Sequence, residues 1–371
     1  MRITRLEPFI LHVPVTRGGV ADSTHTLSHW GMPGVIIHTD TAHRGYGYCG
    51  THAHLPSDKL ITSAITDLFG PLLIGEDPTQ TQHLFHKLDR YPINIWIGRA
   101  GVTQMALSAI DIALWDLKAK AAGQPLWQLL GGSDTKRITA YNTDAGWLNF
   151  TQQQLIDDCK RLIEVDGFDA VKMKVGKPDA KEDLARVEAV RKAIGDQPRL
   201  MVDANGKWHL ADAIQYGRRI ADFDVTWFEE PLWHDDVTNH KRLAEAITTP
   251  IALGELLYTV DAFRQFIECG AVHYVQPDVM RLGGITNWWT IAELTLAHRL
   301  PLVPHHGDMM QAQIHLCLAH RACTMLEYIP WTLHCFEEPA KVEAGVYAVP
   351  RLPGAGTTVK AEAMGKYNVM R

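Results

Sequence analysis

Seven times between Lys172 and Glu327 a short apolar run closes on a side chain able to hold a cation or move a proton. The residues are Lys172 with Lys174, Asp203 with Asn205, Glu229, Glu255, Asp278, His305 and Glu327, and the steps from Lys174 onward are 29, 26, 26, 23, 27 and 22 residues. That is the length of one β/α unit in a barrel of ordinary size. The stretches between, such as 181–194 and 287–298, have the composition of the helices such a unit needs. Strands are predicted at 137–141, 170–175, 199–204, 226–230, 251–255, 274–279, 301–306 and 325–329, enough to close a barrel. In a parallel barrel the C-terminal strand ends build the active site, so the seven positions are expected at one mouth. No Gly-rich fingerprint follows the early strands, which argues against a dinucleotide-binding sheet.

A chain of 371 residues has room for a second domain. Residues 1–132 begin with alternating Ile3, Leu6, Phe9, Leu11 and Val13, pass through Val35-Ile36-Ile37, and turn helical from Gly101 to Lys120. There Ala106, Ile110, Ala113, Leu114 and Leu117 recur at helical spacing until Gly123-Gln124-Pro125 stops them. This is an α+β domain. Two of its segments, Val15 to Gly31 and Gly50-Thr51-His52-Ala53-His54, show no period and read as ligand-contacting loops. They offer His25, His29, Trp30, His52 and His54 as candidate substrate contacts. The tail from Ala344 returns to short strands.

Composition narrows the function. The chain is 46% hydrophobic and 21% charged, and no run approaches the roughly 18 uncharged apolar residues of a membrane helix. Arg2, Arg5, Glu7 and His12 interrupt the N-terminus, so no leader is read there and a cytoplasmic location is expected. The net charge of -6 comes without a basic stripe, which argues against nucleic acid. Six cysteines without CxxC spacing argue against zinc and disulfides and are expected to be reduced and buried.

Asp203, Glu229 and Glu255 supply hard oxygens from consecutive strand ends, a donor set that selects magnesium. Asn205, two residues beyond Asp203, is expected on the same side of its strand. Lys172 and Lys174 share one strand face. Buried together they repel, so at least one is expected to have a lowered pKa and serve as a base. Across the mouth, Asp278 would orient His305 and raise its basicity. His306 competes for that part, since neighbours on a strand face opposite ways and only one can point inward. Glu327 could donate a hydrogen bond if protonated. Phe-Glu-Glu-Pro occurs at Phe228–Pro231 and again at Phe336–Pro339; the second copy falls outside the rhythm, and Glu337 and Glu338 receive no role. A base on each side and a metal beneath suit removal of a proton next to a carboxylate, where stabilising the enediolate is the larger task.

These motifs together, Lys172-Met173-Lys174, Val202-Asp203-Ala204-Asn205, Phe228-Glu229-Glu230-Pro231, Gly254-Glu255, Gln276-Pro277-Asp278 with Gly283-Gly284, Pro304-His305 and Leu326-Glu327, resemble the enolase superfamily and within it the mandelate racemase subgroup. The helix with Ser108-Ala109-Ile110-Asp111 and Trp115-Asp116, then Gly123, Pro125-Leu126 and Leu130-Gly131-Gly132, extends the likeness to the first domain. The resemblance implies an α/β fold: a modified (β/α)7β barrel of TIM type over residues 133–343, an N-terminal α+β capping domain over 1–132, and a segment 344–371 packing back on the cap. It implies that Asp203, Glu229 and Glu255 bind Mg2+, that Lys174 and the His305–Asp278 dyad are the acid/base groups, and that Lys172 and Glu327 steady the carboxylate and enediolate. His305 is preferred to His306 because the subgroup's histidine directly follows the proline. The implied activity is dehydration of a sugar acid, aldonic or aldaric, to a 2-keto-3-deoxy acid, with racemisation, epimerisation or lactone cycloisomerisation as the alternative. Asn205, His25, His52, His54 and Trp30 would contact this small-molecule substrate, and a homo-oligomer is expected.

Overall fold

The alternation at the N-terminus becomes a long strand, β1 (Ile3–Pro14), in the computed structural model of the chain, which describes residues 1–52 and 54–370. Ala53, in the second predicted loop, lies outside the described residues. After β1 come a small hairpin of β2 (Val20–Ala21) and β3 (Thr26–Leu27), then β4 (His29–Thr39) and β5 (Arg44–Tyr48). β1, β4 and β5 form an antiparallel sheet in that order. His29 and Trp30, expected in a loop, are therefore strand residues: they pair with Pro14 and Val13 at the end of β1.

The helix Val102–Ala121 lies against this sheet, and sixteen of its twenty residues are buried. A helix apolar on nearly every side needs partners on every side. β5 comes so close that a Cβ on Gly47 would sit 1.9 Å from the Ala109 carbonyl oxygen, and one on Gly45 2.1 Å from that of Ala113. The helix also meets the barrel. Buried Asp111 accepts from the Thr286 N–H at 2.9 Å and its hydroxyl at 2.8 Å, and Ser108 Oγ accepts from the Gly283 N–H at 2.9 Å. Gly284 has φ +92° and no room for a Cβ, which would lie 2.6 Å from the Asp111 carboxylate.

The barrel runs through β6 (Thr139–Asn142), β7 (Ala170–Lys174), β8 (Arg199–Asp203), β9 (Val225–Glu229), β10 (Ile251–Leu253), β11 (Tyr274–Val275) and β12 (Met325–Tyr328). Neighbours are parallel, and β12 pairs with β6 to close the ring. The strand predicted at 301–306 is reduced to Leu302, which bridges to Val275 and Cys323 and fills the seventh place. Pro301 and Pro304 have no N–H to extend a ladder. Helices Ala180–Ile194 and Ile285–Ala297 lie where helical spacing was read.

After β13 (Val342–Glu343), β14 (Val346–Tyr347) pairs first with the barrel, through β6, rather than with the cap. The chain then reaches the cap: Gly354 accepts from the Leu126 N–H, Ala355 donates to Asp116, and Val369 donates to the Ile10 carbonyl. All six cysteines are free; five are buried and Cys269 is partly exposed, because it ends the helix Val260–Glu268 at the barrel's rim. Among the described residues no helix is long and apolar enough to cross a membrane.

Candidate active site

Strand alternation makes the barrel interior two layers. Tyr141, Ala170, Met201, Trp227, Ala252, Val303 and Met325 pack together as an apolar floor. Two residues further along their strands, on the same face, stand Lys172, Asp203, Glu229 and Glu327, while Thr143 and His305 follow just beyond β6 and the Leu302 bridge. The backbone register sets Lys174 beside Asp203 and Asp203 beside Glu229. Oxygens of Asp203, Glu229 and Glu255 converge within 4.8 Å of one another, all from buried residues.

Both lysines bind this cluster. Lys172 Nζ donates to Glu229, lies 2.9 Å from Glu327 Oε1 and 3.6 Å from Asp203 Oδ2; Lys174 Nζ donates to Asp203. The expected depression of a lysine pKa is not found. Burial lowers each, but Glu229 and Glu327 hold Lys172 well above its ordinary value, and Asp203 raises Lys174. Attraction to carboxylates at contact outweighs repulsion between the two ammonium groups. Glu327 is corrected in the same way. Burial raises its pKa, yet Lys172 and the His306 ring, 3.1 Å away, bring it well below the carboxylate range, so it is an anion rather than a donor.

His305 Nδ1 lies 2.8 Å from Asp278 Oδ2 and its Nε2 2.9 Å from Glu255 Oε2. Burial disfavours its charge, but Glu255 and Asp278 lift its pKa well above the ordinary value. His306 also reaches the cavity, contrary to the expectation that only one ring could. The chain has left strand geometry there and turns, with Met309 N–H donating to His306 O at 2.6 Å. Burial and His305 push His306 down to about 4, which leaves it neutral.

A cavity of about 330 Å³ opens above. Of the residues singled out in the sequence, His25, Trp30, His52, His54, Lys174, Asn205, Glu255 and His305 line it, whereas His29 does not. Lys172, Asp203, Glu229, Asp278 and Glu327 sit beneath or behind this wall. Asn205 arrives by a turn residue with φ +47°, since β8 ends at Asp203 and alternation no longer applies. His52 (φ +56°) stacks on His305 at 6.4 Å between centroids and accepts from Arg281 Nη2 at 3.0 Å. Burial, Arg281 and His305 keep its pKa well below the ordinary value, so it is a neutral acceptor.

Sequence reasoning missed Asp22, Trp147, Arg281 and Trp331, which also line the cavity. Trp147 and Trp331 follow β6 and β12 on the C-terminal side, where position alone nominates them. Asp22 opens an Asp-Ser-Thr-His turn, a recognisable Asx pattern. Arg281 carried no signal apart from its place near Asp278. Glu338, given no role, accepts the N–H groups of Arg351 and Leu352, away from the mouth.

The donor set fits a divalent cation. Asp203, Glu229, Glu230, Glu255 and Glu327 crowd around two ammonium groups, and both Glu230 oxygens are buried without a hydrogen bond among the described residues. Burial and the surrounding anions push Glu229 up to about 8 and Glu230 well above its usual range, as expected of carboxylates short of positive charge.

Comparison with known proteins agrees. Residues 5–131 match the family model described as mandelate racemase / muconate lactonizing enzyme, N-terminal domain, and residues 154–363 the one described as enolase C-terminal domain-like. A 3,6-anhydro-alpha-L-galactonate cycloisomerase of Streptomyces coelicolor is 34% identical over 371 residues, 99% of each chain. The L-talarate/galactarate dehydratase of Salmonella typhimurium is 38% identical over 295 residues, 78% of this chain and 72% of its own. The crystal structure of an L-talarate dehydratase from a Polaromonas species, complexed with Mg and L-glucarate, superposes with a TM-score of 0.89 at 34% identity, covering 99% of this chain and 97% of that one. By fold, by the magnesium-type carboxylate trio and by these matches, the chain belongs to the mandelate racemase / muconate lactonizing enzyme group of the enolase superfamily.

Proposed function

We propose that this protein dehydrates a sugar acid, aldonic or aldaric, to a 2-keto-3-deoxy acid. The observation that supports this most is the placing of two proton-carrying groups, Lys174 from β7 and His305 from beyond β11, on separate walls of one cavity, with a carboxylate cluster beneath. Asp203, Glu229 and Glu255 would hold magnesium, which when bound would supply positive charge for the substrate's carboxylate and, by lying near Lys174, would favour the neutral amine there. Lys174 takes the proton from the carbon next to the carboxylate. Lys172, fixed by Glu327 at 2.9 Å, donates to the carboxylate oxygens as negative charge moves onto them. His305, its proton retained by Asp278 and Glu255, gives that proton to the oxygen on the next carbon as the C–O bond breaks with its electron pair. Water leaves, and the enol becomes the keto acid.

The full-length likeness to a cycloisomerase favours a second reading, in which the same two groups act on a ring-bearing sugar acid. Lys174→Ala and His305→Asn test the shared chemistry. Each is expected to lower kcat by about 10² to 10⁴, the usual worth of an acid/base group, while the folded variants still bind magnesium by calorimetry. Full turnover by either variant would remove that residue from the reaction. The NMR spectrum of the product distinguishes the readings: a keto acid with release of water, or an isomer of unchanged mass.

A further inference from the structure

The hairpin β2–β3 closes one side of the cavity and is anchored to the barrel there. Ser23 Oγ donates to the Ala204 carbonyl at 2.7 Å, Leu148 N–H to Ala21 O at 2.8 Å, and Ala21 N–H to Asn149 Oδ1 at 3.0 Å. These bonds hold the turn residue Asp22 against the mouth, with its side chain only 5% exposed. Its Oδ1 accepts from the Thr24 N–H and hydroxyl, both at 2.7 Å, and from the His25 N–H at 3.0 Å. Burial opposes the charge, but His25, Lys174 and Thr24 bring its pKa down to about 2. Oδ2 accepts no hydrogen bond among the described residues, and Asp22 lines the cavity. Two cations that also line the cavity already have partners in the protein: Lys174 donates to Asp203, and Arg281 donates to His52 and lies 3.6 Å from Asp278.

A fixed anion with a free oxygen suits hydroxyl donors and opposes a second carboxylate, because like charges set side by side at a desolvated site are strongly unfavourable. We propose that Asp22 is a specificity-determining residue, which accepts hydroxyl protons from the substrate chain and selects monocarboxylic (aldonic) over dicarboxylic (aldaric) sugar acids. This rests on the sugar-acid reading above and narrows it. The indole N–H groups of Trp30 and Trp147, both buried without a hydrogen-bond partner among the described residues, complement Asp22 as donors to the substrate's oxygens.

Calorimetric titration of the magnesium-loaded protein with five- and six-carbon aldonates and their matched aldarates reads this selectivity without requiring turnover. The wild-type protein is expected to bind at least one aldonate about tenfold or more tighter than its aldarate. In Asp22→Asn, checked for folding by circular dichroism, the ratio is expected to fall within about threefold; Asp22→Ser gives the same comparison if the asparagine variant misfolds. Aldarates bound as tightly as aldonates by the wild type, a ratio unmoved in both variants, or no binding of either class would overturn the proposal. Selective binding that the variants abolish, without keto acid from any bound compound, would uphold Asp22 and contradict dehydration.

Discussion

Glu229 Oε2 accepts from Trp227 Nε1 at 2.9 Å and from Gln276 Nε2 at 2.7 Å, leaving Oε1 toward Lys172. Two donors on one oxygen fix the carboxylate's plane before any cation arrives, the kind of support whose loss typically weakens metal binding by about 10- to 100-fold. Gln276→Leu is therefore expected to raise the magnesium Kd within that range by calorimetry, with the fold intact. An unchanged Kd would show that Trp227 alone orients Glu229. At this scale the sequence was legible in one respect and opaque in another. Lys172, Lys174, Asp203, Glu229, Glu255, Asp278, His305 and Glu327 were named from spacing and motif, and the structure brings them together. Their charge states were not legible, because ionisation depends on contacts between positions such as Lys172 and Glu327, 155 residues apart in the chain.

Elements were readable where periodicity is strong and obscure where it is interrupted. The strand β1 and the helix Val102–Ala121 form where their periodicity was read, although β1 shifts register between Ile3 and Arg5. The segment 301–306 did not become a strand, and the rule that adjacent residues face opposite ways failed with it, which is why both His305 and His306 line the cavity. The hairpin β2–β3 was hidden because two-residue strands carry no period; turn chemistry at Asp22 was the available signal. Close packing between elements yields a sharp expectation. Gly47→Ala would force a methyl group to 1.9 Å from a helix carbonyl, which neither backbone can avoid by rotating a side chain. A loss of about 3 kcal/mol, at the upper end of overpacking effects, is expected in urea denaturation. A midpoint equal to that of the wild type would mean that β5 and the helix separate at little cost.

Across the whole molecule, cap and barrel meet at Asp111, whose carboxylate is buried against Thr286. Burial pushes its pKa up to about 7, with the Thr286 bonds opposing, against an unfolded value of about 3.9. For an acid raised in this way the unfolded chain loses its proton first. The stabilisation is thus greatest below pH 4 and declines as pH rises to 7, by roughly 4 kcal/mol on linkage arithmetic. Asp111→Asn is expected to flatten this part of the Tm-against-pH curve, and an unaltered slope would assign the pH dependence elsewhere. The interface also completes the active site, since the cap contributes Asp22, His25, Trp30, His52 and His54 to a cavity whose acid/base groups come from the barrel. The most direct test of the reaction is to incubate the purified protein and magnesium with a panel of aldonic and aldaric acids and assay 2-keto acid as its semicarbazone, with an EDTA-treated control. The account predicts keto acid from at least one sugar acid, abolished by EDTA and restored by added magnesium; keto acid formed equally well after metal removal, or none from any member of the panel, would contradict it.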